Sequence, residues 1–185
     1  TTVVAQKMIN YLQNWNRPHQ GIAVLSFTNV ASNEISRQAT EILPKGFGVD
    51  VPHFVGTLDS FIDNYIFLRF GYLLLKSPKR PQITSNDIVN SYRYWKRECH
   101  STCLSSICDF RWTSDGKLTK NGNRIPCAGN GQYGPPCYQF KKMLLDKGLF
   151  FQDEIASLAC ILLEKYPEIA KGIASRFPII ILDEA

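Results

Sequence analysis

The stretch Ile179-Ile180-Ile181-Leu182-Asp183-Glu184-Ala185 is an apolar run, rich in β-branched residues, that ends abruptly in two acids. Such a run reads as a strand buried on both faces, the usual condition of a parallel sheet. Two carboxylates at the C-terminal end of that strand stand where open α/β sheets bind ligands. An Asp there can hold the water shell of Mg²⁺, and the Glu beside it can orient or deprotonate an attacking water. The plainer alternative is a strand end with two solvated acids. A domain is not expected to stop on a buried strand, so the chain reads as a fragment of a longer protein.

Upstream, the pattern alternates between two periods. Apolar residues at Val3, Val4, Met8, Ile9 and Leu12 have helical spacing, and Asn14 to Pro18 ends that helix. Gly21 to Thr28 suits a short buried strand. Asn29 to Leu43 suits an amphipathic helix with Ile35, Ala39, Ile42 and Leu43 inward, closed by Pro44-Lys45-Gly46. Val51 to Gly56 reads as a second strand and Thr57 to Leu75 as a long apolar helix. Helix, strand, helix, strand, helix is a doubly wound α/β pattern. It breaks at Ser77 to Pro81. Beyond a possible helix over Ser85 to Cys99, the turn signals Ser114-Asp115-Gly116 and Lys120-Asn121-Gly122 mark a small hairpin-rich region. Helical periodicity returns over Phe140 to Leu149, Asp153 to Lys165 and Pro167 to Arg176. The expected organisation is an α/β core over 1–76, an inserted subdomain over 77–146, and the rest of the core over 147–185.

Charge follows the same division. Of 21 Lys and Arg against 16 Asp and Glu in 185 residues, thirteen and five fall between Lys76 and Lys147. The middle is therefore a basic module in a mildly acidic host, suited to a polyanion or simply to water. No run of about 18 apolar residues is present to cross a membrane, and no basic leader precedes an apolar stretch. The reading is a cytoplasmic protein without a membrane partner.

Three short motifs fall at strand ends: Ser26-Phe27-Thr28-Asn29-Val30-Ala31, Gly56-Thr57-Leu58-Asp59-Ser60-Phe61 and Asp183-Glu184-Ala185. They would line one edge of one sheet. Together they resemble the UvrD/Rep-type superfamily 1 DNA helicases. The first RecA-like domain of that family carries Ala-x-x-Phe-Thr-Asn-Lys-Ala-Ala, then Gly-Thr-x-His-Ser-Phe, then the Walker B segment Asp-Glu-x-Gln-Asp after an apolar strand. Gly148 to Ile155 is similar to the family's Gly-x-x-Asp-Phe-Asp-Asp-Leu stretch. The resemblance covers 1–75 and 145–185, not the middle.

The resemblance implies a RecA-like P-loop NTPase fold and ATP hydrolysis coupled to 3′-to-5′ movement on single-stranded DNA. Thr1 would follow the Lys of the phosphate loop and ligate Mg²⁺, Asp183 would anchor that ion, and Glu184 would activate water. Phe27, Thr28 and Asn29 would meet single-stranded DNA, the ring stacking on a base and the hydroxyl and amide reaching phosphate. Thr57 and Ser60 would hold the backbone at a helix that Ser60 opens. The bland alternatives are a core ring for Phe27 and N-capping for Thr28 and Asn29. Two departures weaken the DNA assignment: Val30 stands at the family's Lys, and Asp59 at its His. Without the loop ahead of Thr1, the fragment alone is not expected to hydrolyse ATP. The implied partners are single-stranded DNA, a duplex junction and a second RecA-like domain of the parent chain. Repair, recombination, plasmid replication and phage defence all use such motors. A non-catalytic nucleic-acid-binding module on the same fold is the rival reading, and a P-loop nucleotidase without nucleic acid is a third.

Family members carry an inserted domain that often touches duplex DNA. In this chain it mixes Tyr92, Tyr94, Trp95, Phe110, Trp112 and Tyr138 with Arg93, Lys96, Arg97 and Arg111, a surface suited to phosphate and base stacking, or in part a small core. Its cysteines, Cys99, Cys103, Cys108, Cys127 and Cys137, could supply zinc ligands, although no Cys-x-x-Cys pair is present. Free thiols and disulfides remain open. Cys160, on a helix with Ile155, Leu158 and Leu162, is expected in the core.

Overall fold

The structure is a computed structural model that describes residues 2–42, 51–75, 79–85, 87–88, 110–112, 118–120, 123–124 and 136–183. In chain order the elements are α1 (Thr2–Gln13), β1 (Ile22–Ser26), α2 (Asn29–Ile42), β2 (Phe54–Thr57), α3 (Leu58–Phe61), α4 (Leu68–Phe70), β3 (Gln82–Thr84), β4 (Phe110–Trp112), β5 (Leu118–Lys120), β6 (Asn123–Arg124), α5 (Pro136–Lys147), β7 (Leu149–Phe151), α6 (Gln152–Lys165), α7 (Pro167–Arg176) and β8 (Ile179–Leu182). A widened π-helical stretch, Ile62–Phe67, joins α3 to α4, and a 3₁₀ turn, Gly71–Leu74, follows α4. The single long helix expected from Thr57 onward is thus a series of short, differently wound segments. The chain is mixed α/β with a small parallel sheet, and it divides into two compact units, 1–65 with 166–185, and 66–165. The second of these units takes in the stretch from Ile66 and, at its other end, β7 and α6.

The first unit is built on three parallel strands in the order β2-β1-β8. β1 is central, and all five of its residues are buried. Its alternate side chains serve two cores, as strand geometry requires. Ile22 and Val24 pack with Ala5, Met8, Ile9 and Leu12 of α1 and Ile35 and Ala39 of α2. Ala23 and Leu25 pack with Phe61 and Phe177, flanked by Phe54, Leu58, Tyr65 and Ile173. On that second face the Phe61 ring lies 5.4 Å from both Phe54 and Phe177, edge to face.

Burial on both faces, expected of the Ile179 to Leu182 run, belongs to β1 instead. β8 is an edge strand among the described residues. Ile179 and Ile181 face the α1–α2 core, but Ile180 and Leu182, on the other side of this edge strand, are 49% and 40% exposed. Ile42, read as inward, is likewise exposed at the last residue of α2.

The second unit has its own interior, with Phe67, Phe110, Phe140, Leu144, Phe150, Phe151, Ile155, Leu158 and Leu162 all buried. β3 and β7 pair in parallel, and β4, β5 and β6 form an antiparallel sheet. β5 and β6 pair with Lys120 opposite Asn123; the residues of the turn signal between them, Asn121 and Gly122, lie outside the described residues. Gly148, at φ 75°, makes the turn from α5 into β7 in a conformation that favours glycine. Lys141 of α5 and Glu154 of α6 form an ion pair at 2.5 Å, with both side chains almost completely buried.

Candidate functional site

Parallel pairing brings three strand ends together. Ser26 is in register with Thr57, and Leu25 with both Gly56 and Leu182. The Asp183 N–H continues the ladder by donating to the Leu25 carbonyl at 2.8 Å. Ser26, Thr57 and Asp183 therefore stand in one row at the C-terminal edge of the sheet, where ligands bind in open α/β folds. Ser26 and Asp183 are buried there, at 0% and 4% exposure.

The β1–α2 turn is tied by its own hydroxyls. Ser26 Oγ donates to the Thr28 carbonyl (2.7 Å). Thr28 Oγ1 accepts the Ala31 N–H (3.2 Å), which makes Thr28 the N-cap of α2. Ser32 Oγ donates to the Asn29 carbonyl (3.1 Å). With the turn held this way, Phe27 points outward and is 56% exposed, so it is not a core ring. Thr28 and Asn29 are exposed beside it. Val30, 79% exposed, occupies the first turn of α2.

The β2–α3 turn has the same logic with different partners. Thr57, not Ser60, opens the helix: Thr57 Oγ1 accepts the Ser60 N–H (3.1 Å) and donates to Ser60 Oγ (3.0 Å). Ser60 Oγ in turn donates to the Thr57 carbonyl (2.8 Å), inside the first turn. The expectation that Ser60 begins the helix came from reading the cap three residues too late. A Cβ at Gly56 would lie 2.7 Å from the tip of the Phe54 ring, so a larger residue there needs that ring to shift. Asp59 is exposed in the first turn of α3, where the helix dipole favours an acid.

The electrostatics of this edge are distinctive. The segments 26–36, 54–68 and 179–183 contain no Lys or Arg. Anything held by these segments meets hydroxyls, a carboxamide, an exposed aromatic ring and carboxylates.

Thr1 and Glu184 lie outside the described residues, as do Cys99, Cys103, Cys108 and Cys127; Cys137 falls on α5, with only its backbone described. Among the described residues no group of three or more His, Cys, Asp or Glu side chains is placed to hold a metal. Cys160 is a free, exposed thiol rather than a core residue. It lies off the face of α6 defined by Ile155, Leu158, Ala159 and Leu162. Arg111, read as a polyanion contact, pairs with Asp153 at 3.3 Å. Among the described residues no helix is long and apolar enough to cross a membrane. Compared with known proteins, the chain matches no family model and no curated protein.

Ser26 and Gly56 each open one of the quoted motifs but carry no assigned role in the sequence reading. A Ser directly after a buried strand, two residues before a helix cap, was the available signal for the first. The packing around the second was not legible, because the Phe54 ring that a Cβ would meet comes from two positions back on the same strand.

Proposed function

We propose that this chain is part of an ATP-dependent DNA helicase or translocase of the UvrD/Rep type, built on a RecA-like P-loop domain and working in the cytoplasm. The observation that carries the reading is the alignment of the segments around Ser26, Thr57 and Asp183 on one edge of a parallel sheet, with Phe27 presented to solvent beside them. Asp183, buried at a strand end, suits the acid that holds the hydration shell of Mg²⁺, with Thr1 as the hydroxyl ligand. When bound, Mg²⁺ neutralises charge on the ATP phosphates. Glu184 orients the attacking water and takes its proton. Phe27 stacks on a base of single-stranded DNA, and Thr28, Asn29, Thr57 and Ser60 contact the strand as polar partners, their capping bonds fixing the turns that carry them. The duplex junction falls to the basic middle segment, and a second RecA-like domain of the parent chain completes the motor.

The test is ATPase activity of the full-length parent with and without single-stranded DNA. DNA-stimulated hydrolysis that a Glu184→Gln change stops, with nucleotide binding retained, supports the assignment. Hydrolysis that survives Glu184→Gln refutes the role of Glu184.

Exposed Val30 and exposed Asp59 favour a second reading, a non-catalytic nucleic-acid-binding module on the same fold. An apolar and an acidic side chain stand where that family places a Lys and a His. Absence of Gly-Lys ahead of Thr1 in the parent, with DNA binding retained, would select it.

A further inference from the structure

The opposite, N-terminal end of the same sheet carries a cleft of about 580 Å³ between the end of α1 and the start of β8. That volume is in the range of small-molecule sites, roughly 300–1,000 Å³. Its walls include Tyr11, Asn14, Trp15, Asn16, Arg17 and Ile179, and among the described residues no acid lines it.

Charge separates the two ends of the sheet. Residues 1–33 contain no Asp or Glu. Arg17, His19 and Arg176 cluster at the N-terminal end, where Arg176 Nη1 donates to the His19 carbonyl (2.7 Å). The C-terminal end carries Asp59 and Asp183. An anion is therefore favoured at the cleft rather than across the sheet from it.

The cleft is also preorganised. Trp15 Nε1 is shared between the carbonyls of Arg17 and Gln20, both at 3.0 Å, which fixes the indole. The Arg17 guanidinium lies 5.7 Å over that ring, and its Nη1 donates to Gln20 Oε1 (3.2 Å). Gln20 Nε2 reaches the Ser175 carbonyl (2.8 Å), and the Gly21 N–H reaches the Arg176 carbonyl (2.8 Å), so the loop that bears Arg17 is tied down. Hydrogen-bonding capacity is left over. Asn14 uses its Nδ2 on the Asn10 carbonyl but keeps its Oδ1, and the Tyr11 hydroxyl and the Asn16 carboxamide have no hydrogen bond among the described residues.

From this we infer that the cleft is a second ligand site, one that takes a nucleotide unit, a planar base joined to a phosphate. Arg17 meets the phosphate with its remaining N–H groups. The Tyr11 ring, 45% exposed, gives the base a stacking face, and the Asn14 and Asn16 carboxamides read its edge. The unit can be a free mononucleotide or one residue of a strand. The site stands independently of the ATPase reading, since none of its residues belongs to the C-terminal edge.

The experiment is a titration of the full chain followed by the Trp15 indole N–H resonance, assigned by Trp15→Phe. The probes are AMP, a short oligo-dA and ribose 5-phosphate. A saturable shift with a roughly millimolar Kd is expected for AMP or for oligo-dA, as suits an open cleft. Response to AMP identifies a free-nucleotide site, and response to oligo-dA alone identifies a strand contact. Ribose 5-phosphate, lacking a base, binds more weakly. Arg17→Ala and, separately, Tyr11→Ala each raise the Kd about tenfold or more. Both side chains are exposed, and unchanged far-UV circular dichroism certifies each fold. No shift with AMP or oligo-dA overturns the inference, as does binding that ignores both substitutions or that ribose 5-phosphate matches.

Discussion

Replacing Lys141 with Met tests whether the buried ion pair of the second unit works as the geometry indicates. Glu154 Oε2 meets Lys141 Nζ at 2.5 Å, its Oε1 accepts the Phe151 N–H at 3.1 Å, and the ammonium lies 4.6 Å from the Phe151 ring centroid. Both side chains are nearly inaccessible, at 1% and 2%. Lys141→Met leaves a buried carboxylate without its counter-charge, which costs about 3–5 kcal/mol. Glu154→Gln takes the carboxylate charge away from the buried ammonium and is also destabilising, by up to a similar amount. The double variant removes both charges while Gln keeps an acceptor for the Phe151 N–H, so it should fall within about 1–2 kcal/mol of the parent sequence. Urea unfolding followed by fluorescence in a Trp15→Phe, Trp95→Phe background, where Trp112 of β4 is the remaining tryptophan, reads the unit. With a slope of about 1–3 kcal/mol per molar, each single change moves the midpoint down by roughly 1–5 M, and the double change restores most of it. Single changes that cost under about 1 kcal/mol, or a double change as damaging as the sum, would show that the pair is neither buried nor coupled as described.

Other outcomes follow from single contacts. His53 Nδ1 accepts the Ile22 N–H at 3.1 Å, which requires a neutral acceptor, and burial, with the Arg176 charge, holds its pKa below 6.5. On acidification the unfolded chain takes up this proton first. Stability is therefore full above pH 6.5 and falls as pH drops from there toward the depressed folded value, with a slope of at most about 1.4 kcal/mol per pH unit. Thermal melts across this range should show the slope, and His53→Gln should flatten it. Gly21→Ala places a Cβ 1.9 Å from the Pro52 carbonyl oxygen, a backbone atom, and should destabilise by about 1–3 kcal/mol in chemical denaturation. Phe27→Ala should leave stability within about 0.5 kcal/mol, because the ring is exposed. In a fluorescence-anisotropy titration it should weaken single-stranded DNA binding by about 1–3 kcal/mol.

The α/β alternation over the first 75 residues was legible because its elements carry clean periods. Val3 to Leu12 and Ile35 to Ala39 repeat at helical spacing, and Ile22 to Ser26 is an unbroken apolar strand. The motifs at strand ends were legible for the same reason, since they fall where the period changes. Burial of β8 was misjudged because an apolar run reports composition, not position in the sheet, and an edge strand can carry Ile180 and Leu182 into solvent. Cys160 was misplaced because a shared helix does not mean a shared face. The β3–β7 pairing was invisible, as three-residue strands leave too few side chains to show a period. Lys141 shows the limit of charge counting, since one of the thirteen basic residues assigned to a polyanion-facing module is spent inside it. The N-terminal cleft was missed because its residues are an ordinary helix end until Pro178 and Ile179 arrive beside them.

That arrival has a kinetic side. Among the described residues β8 completes the pairing of β1, and the loop before β1 is held by contacts such as Gln20 to Ser175, which are 155 positions apart. The second unit, 66–165, lies wholly between these partners in sequence. On a ribosome the middle of the chain can collapse while the first 65 residues still lack one strand and one helix of their own unit. Closing so long a loop is slow, and until then the edge of β1 that β8 will cover is an open template. The sheet edge that gathers the candidate site is thus assembled only after residues 66–165 have been made, and until then residues 1–65 depend on being kept apart from other chains.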